Sequence, residues 1–95
     1  MKINSFLINA IMMYLEDNLD YEQEIEYPVL IKNIPDYYAQ KGLGDIPPEQ
    51  EIAYALKKIE ELYFIEHTPH QMFHGRKVTD ITYTGHKYLS DPKLF

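Results

Sequence analysis

Hydrophobic residues recur along this chain with two different periods. From Ser5 to Asn18 the spacing is helical. Leu7, Ala10, Ile11, Tyr14 and Leu15 fall at i, i+3, i+4, i+7 and i+8 and predict a core-facing stripe. At 100° per residue, Ile8 and Met12 lie on one flank of that stripe and Phe6 and Met13 on the other, so this helix is apolar nearly all round. Asn4 or Ser5 is placed to cap it. Glu24 to Tyr27 alternates and reads as a short strand. Val29, Leu30, Ile31 and Ile34 predict a helical segment that Pro35 interrupts, with a further turn or two at 36–41 ended by Gly42 or Gly44.

The last third is the most ordered part of the pattern. Pro47 and Pro48 suit the first turn of a helix, where a missing N–H costs little. Residues 51–63 follow as an amphipathic helix with Ile52, Leu56, Ile59 and Leu62 on its buried stripe and Ala55 and Tyr63 beside it. Phe64 and Ile65 begin one strand of a hairpin, and Val78, Ile81 and Tyr83 belong to the other. His70–Gly75 form the exposed tip, and Ile65, Val78 and Ile81 point inward. Thr84 is expected to cap a short final helix, which Asp91-Pro92 stops. The whole predicts one α+β domain over residues 1–95: a winged helix-turn-helix of three main helices, a two- to three-stranded antiparallel wing and a short C-terminal helix.

Composition narrows the function more than the fold. A chain of 95 residues with 45% hydrophobic positions makes one modest core. No apolar run is long enough to span a membrane, and acidic residues at once follow the apolar stretch Phe6–Leu15, so a soluble, cytoplasmic protein is expected. Cysteine is absent, which removes disulfides and thiolate chemistry. Residues 1–63 hold five Lys and twelve Asp or Glu, whereas residues 64–95 hold four Lys or Arg and three acids. With a pI near 5.0 and one arginine, most of the surface is ill suited to phosphate contacts.

The ending Ile81-Thr-Tyr-Thr-Gly-His-Lys-Tyr-Leu89, followed by Ser90 to Phe95, resembles a family of small phage and bacterial proteins of unknown function, themselves similar to winged helix-turn-helix domains. The Met-Lys-Ile opening, the helix end Tyr14-Leu-Glu-Asp-Asn18, the acidic Glu24-Ile-Glu26 and the positions of Ile52, Tyr54, Leu56 and Leu62 extend the likeness over most of the chain. The chain departs from it between Val29 and Pro47, where it is longer, and in the wing. The resemblance implies the fold and no activity. The wider class is mostly DNA-binding and includes protein-binding members.

Two readings of function follow, of which the first is preferred because the wider class is mostly DNA-binding, and the second is the alternative that the charge favours. In the first the protein is a small DNA-associated, transcription-regulatory protein of phage or mobile-element type. Gln50, Tyr54, Lys57 and Lys58 of the recognition helix, with Arg76 and Lys77 of the wing, would then contact DNA. In the second it is an acidic protein-interaction module, or an inhibitor of a nucleic-acid-binding protein. That reading draws on Glu16, Asp17, Asp20, Glu22, Glu24 and Glu26 with the tyrosines among them, Tyr21, Tyr27, Tyr37 and Tyr38. The position of the basic side chains decides between them: one continuous basic surface keeps DNA in play, and separation by acids favours a protein partner. A homodimer is expected through Phe6, Ile8, Met12, Met13 and Phe95, because so many large apolar groups seldom stand in water. His67, His70, His74 and His86 match no zinc spacing, and neither a metal nor another cofactor is expected. No catalytic residue is assigned, since no phosphate loop, nucleophile elbow or metalloprotease motif is present.

Overall fold

The computed structural model describes residues 2–19 and 23–91. They form an α+β domain of four helices and a three-stranded antiparallel sheet, in the order α1 (Ser5–Asn18), β1 (Ile25–Glu26), α2 (Tyr27–Gln40), α3 (Glu49–Glu61), β2 (Ile65–His67), a 3-10 turn (Phe73–Gly75), β3 (Lys77–Ile81) and α4 (Tyr83–Ser90).

α1 is the central helix. Asn4 caps it, its side-chain oxygen accepting the Leu7 N–H at 3.1 Å. Leu7, Ala10, Ile11 and Leu15 are buried as the spacing predicts, and so are Ile8 and Met12, both fully. The expectation that Ile8 and Met12 are left for a dimer contact is therefore corrected. α4 closes over that flank: a Cβ built on Gly85 would stand 3.1 Å from the Met12 Cε. α1 thus touches α2, α3 and α4 at once, and a helix covered on several sides needs apolar residues on several sides.

α2 runs unbroken from Tyr27 through Pro35, not interrupted there as the sequence suggests. Proline's fixed φ is compatible with a helix, and its cost is one lost bond to the residue four back. Ile34 and Tyr38, buried on either side of Pro35, hold the segment against the core. Tyr37 adds an edge-on contact with Tyr14, ring centroids 5.4 Å apart, and donates to Asp17 at 3.1 Å. The helix ends in a Schellman motif. Gly42, at φ 64°, sends its N–H to the Ala39 carbonyl, and the Leu43 N–H reaches back to Tyr38.

α3 starts one residue after its expected prolines. Pro48 is the cap residue, its carbonyl accepting from Glu51 and Ile52, and Pro47 is buried beside it. Ile52, Ala55, Leu56 and Ile59 form the buried face. Leu62 is half-buried, and Tyr63 is not beside the stripe at all: it sits at φ 59° with 76% of its surface exposed. The chain turns at Tyr63 into the sheet, whose strand order is β1-β3-β2.

Ile25 pairs with Val78 and Glu26 with Lys77 on one side of β3. On the other side Ile65 pairs with Ile81 and Glu66 with Asp80, and a bulge then brings His67 opposite Val78. Ile65, Val78 and Ile81 are buried as expected. Tyr83 is corrected from strand to the first residue of α4, with 78% of its surface exposed. The cap of α4 is Thr82, whose hydroxyl accepts from the Gly85 N–H at 3.0 Å; Thr84 is an exposed residue of the first turn.

Candidate functional site

Gln50, Ala53, Tyr54, Lys57 and Glu61 recur along α3 at one-turn intervals and make its outward stripe. The loop between β2 and β3 folds back beside this stripe. It places Phe73 and Arg76 as a facing wall, and the space between is a groove of about 630 Å³. A smaller hollow of about 190 Å³, bordered by Ile31, Glu49 and His74, lies next to it. The tip of the hairpin is therefore not uniformly exposed: Phe73 turns inward and meets the Tyr27 ring edge-on at 4.9 Å.

Glu60 organises the wall. Tyr27 donates its hydroxyl to the Glu60 carboxylate, and the Arg76 guanidinium donates to both carboxylate oxygens at 3.0 and 3.1 Å. The His67 Nε2 lies 3.8 Å away, while its Nδ1 is 3.0 Å from the Thr68 carbonyl. Burial, then the bond to Glu60, pushes the Tyr27 phenol well above its ordinary range. Tyr37 is pushed up to about 12 by burial and by its bond to Asp17.

The six side chains expected at DNA do not form one free basic surface. Gln50 and Lys57 are exposed on α3. Tyr54 is half-buried, with the Lys58 ammonium 5.0 Å above its ring. Lys58 also bonds Glu61 at 2.8 Å, which raises the lysine and lowers the glutamate from their ordinary values. Arg76 is held by Glu60, and Lys77 stands 3.7 Å from Glu24. Three of the four cations that the sequence groups together, Lys58, Arg76 and Lys77, are each paired with a glutamate.

The self-association surface shrinks in the same way. Ile8 and Met12 are inside the domain, so neither is available to a second copy. Phe6 remains 65% exposed and Met13 half-buried. Phe95, like Asp20, Tyr21, Glu22, Pro92 and Leu94, lies outside the described residues. Among the tyrosines expected on the acidic surface, Tyr27 and Tyr38 are core residues and Tyr37 is half-buried. Glu16, Asp17, Glu26 and Asp36 are exposed.

The four histidines are scattered over different roles. The His70 ring accepts the Met72 N–H at 3.0 Å, His74 packs edge-on to Phe73 at 5.5 Å, and His86 is exposed on α4. Among the described residues, no group of three or more His, Cys, Asp or Glu is placed to hold a metal. No helix among them is long and apolar enough to cross a membrane.

Sequence reasoning did not single out Glu60 or Phe73. Glu60 reads as one more surface acid of an amphipathic helix, and its partners Tyr27 and Arg76 lie 33 and 16 residues away. No local pattern joins them. Comparison with known proteins adds no constraint: no protein-family model matches the chain, and neither does a curated protein or a solved structure.

Proposed function

We propose that this domain is a non-enzymatic winged helix-turn-helix variant, akin to the small phage and bacterial family its ending resembles, and that it works as an acidic protein-interaction module. The order of elements, with β1 ahead of the helix pair and β3 at the centre of the sheet, supports the winged-helix reading. One observation carries the choice of partner. Lys58, Arg76 and Lys77 are each paired with a glutamate of the same chain, whereas Glu16, Asp17, Glu26 and Asp36 face solvent. A phosphate approaching the wing has to displace a carboxylate first, and a basic protein segment does not. The second reading, a DNA-associated regulator, rests on Gln50 and Lys57, which stand exposed on the outer face of α3, where a recognition helix reads base edges.

One pair of titrations separates the two. Labelled duplex DNA and a labelled arginine-rich peptide, the probe for a basic partner, are each followed by fluorescence anisotropy at about 50 mM salt. Non-specific DNA binding by an ordinary DNA-binding protein has a Kd of about 10⁻⁴–10⁻⁶ M. The protein-module reading expects no DNA binding at concentrations on the order of 100 μM, and peptide binding that weakens with salt. DNA binding with no response from the peptide overturns it.

A further inference from the structure

The loop between β2 and β3 is a preformed body on a narrow neck. Inside it, the His70 N–H bonds the Thr68 carbonyl at 2.9 Å and the Gly75 N–H bonds the Met72 carbonyl at 3.0 Å. The Arg76 Nε bonds the His70 carbonyl at 2.8 Å. The His70 ring lies so close over Gly75 that an added Cβ there would stand 2.5 Å from it. At the neck, the Thr68 N–H bonds the Lys77 carbonyl and the Lys77 N–H bonds the Thr68 hydroxyl, each at 3.0 Å.

The side-chain attachments to the helices are of another kind. Phe73 rests on Tyr27, and Arg76 is gripped by Glu60, to which Tyr27 itself donates. Both contacts converge on the Tyr27–Glu60 pair. His67 completes the set of groups facing that carboxylate, and Lys57 lies further along the same groove. A carboxylate binding a guanidinium with two oxygens is stronger than a neutral hydrogen bond, so this charge adds to the Phe73 contact and to the Tyr27 N–H bond with the Arg76 carbonyl at 3.1 Å.

We propose that residues 68–76 are a flap latched to α3 by the Glu60 carboxylate, which swings out and opens its Thr68–Lys77 neck when that carboxylate is neutralised or Arg76 is drawn away. Opening frees the guanidinium. It also removes Phe73 and Arg76 from the groove and so dismantles the α3 surface. This last consequence rests on the groove being a partner-facing surface, whereas the latch itself does not.

The experiment reads the latch with no partner present. Trypsin cuts after Arg76 and Lys77, at the base of the flap, and its rate follows the open population when closing is fast. Removing a charged hydrogen bond changes such a population by roughly tenfold or more. Glu60→Gln is therefore expected to speed cleavage after Lys77 by about tenfold and to raise amide exchange at Thr68 and Tyr27, whose N–H groups bond the Lys77 and Arg76 carbonyls, with α1 still protected. Glu61→Gln makes the same change in net charge on a residue that holds Lys58 instead, and should leave both unchanged. Arg76→Gln keeps the Lys77 site and should behave as Glu60→Gln does, so it carries the test if that variant misfolds. Equal cleavage in the Glu60 and Glu61 variants overturns the latch. So does loss of protection in α1 together with the flap, since that is general loosening.

Discussion

α2 and α3 end in the same backbone motif with opposite residues at its critical position. Both chains turn left-handed one residue past the cap, at φ 64° for Gly42 and 59° for Tyr63. In each, the next two amides reach back to the helix, for α3 from Tyr63 to Glu60 and from Phe64 to Ile59. Glycine enters that region at little cost, while a residue with a Cβ costs about 1–2 kcal/mol there. At α2 the sequence follows the backbone. At α3 the surroundings hold a tyrosine where the backbone alone would reject it. Thr82 supplies two of the restraints: its N–H bonds the Phe64 carbonyl at 3.0 Å and its hydroxyl bonds the Tyr63 carbonyl at 2.5 Å. Gly85 supplies a third by pressing directly on the Phe64 backbone. An end that neighbours enforce on this scale tolerates a poor residue, and an end in the open does not.

That contrast can be broken most severely at Gly85. A Cβ there would meet the Phe64 carbonyl oxygen at 2.2 Å and the Ile81 side chain at 2.7 Å, so something has to move. Overpacking of a tight contact costs about 1–3 kcal/mol, and Gly85→Ala is expected at or beyond the top of that range. Urea unfolding gives the number, and a loss under 1 kcal/mol would show that α4 does not clamp the α3 end. Gly42→Ala comes next. Nothing lies within 4 Å of the added atom, so only the left-handed backbone opposes it, and the expected loss is about 1–2 kcal/mol. The smallest effect is a gain. Tyr63→Gly relieves the same strain but frees the unfolded chain, so a net stabilisation of at most about 1 kcal/mol is expected. If thermal unfolding instead shows the glycine variant less stable, the exposed Tyr63 ring contributes packing that outweighs its backbone cost.

How much of this could be read in advance depended on range. The span and apolar stripe of the first helix were legible, with its cap narrowed to Asn4 or Ser5, because these signals are local. The burial of Ile65, Val78 and Ile81 follows from a period of two. The failures share one cause. Pro35 would stop an isolated helix, but Ile34 and Tyr38 are anchored in a core that the local pattern does not describe. Thr82 and Thr84 are equally good caps on paper, and only the Phe64 carbonyl decides between them. Ile8 and Met12 look like an interface until α4 is known to lie across them. Arg76 and Lys77 look like a patch until Glu60 and Glu24 arrive from other elements.

The shape of the sheet has a consequence for behaviour at high concentration. An edge strand offers open backbone groups to any passing chain, and long flat edges are where proteins begin to polymerise. Here the outer strands are two and three residues long. They carry exposed glutamates at Glu26 and Glu66, and the β2 side is further kinked by its bulge. Glu66 also faces Asp80 across the ladder, a like-charge pair that weakens the hairpin slightly yet repels an incoming strand of the same sequence. The sheet gives up a little cohesion and in return resists fibril growth.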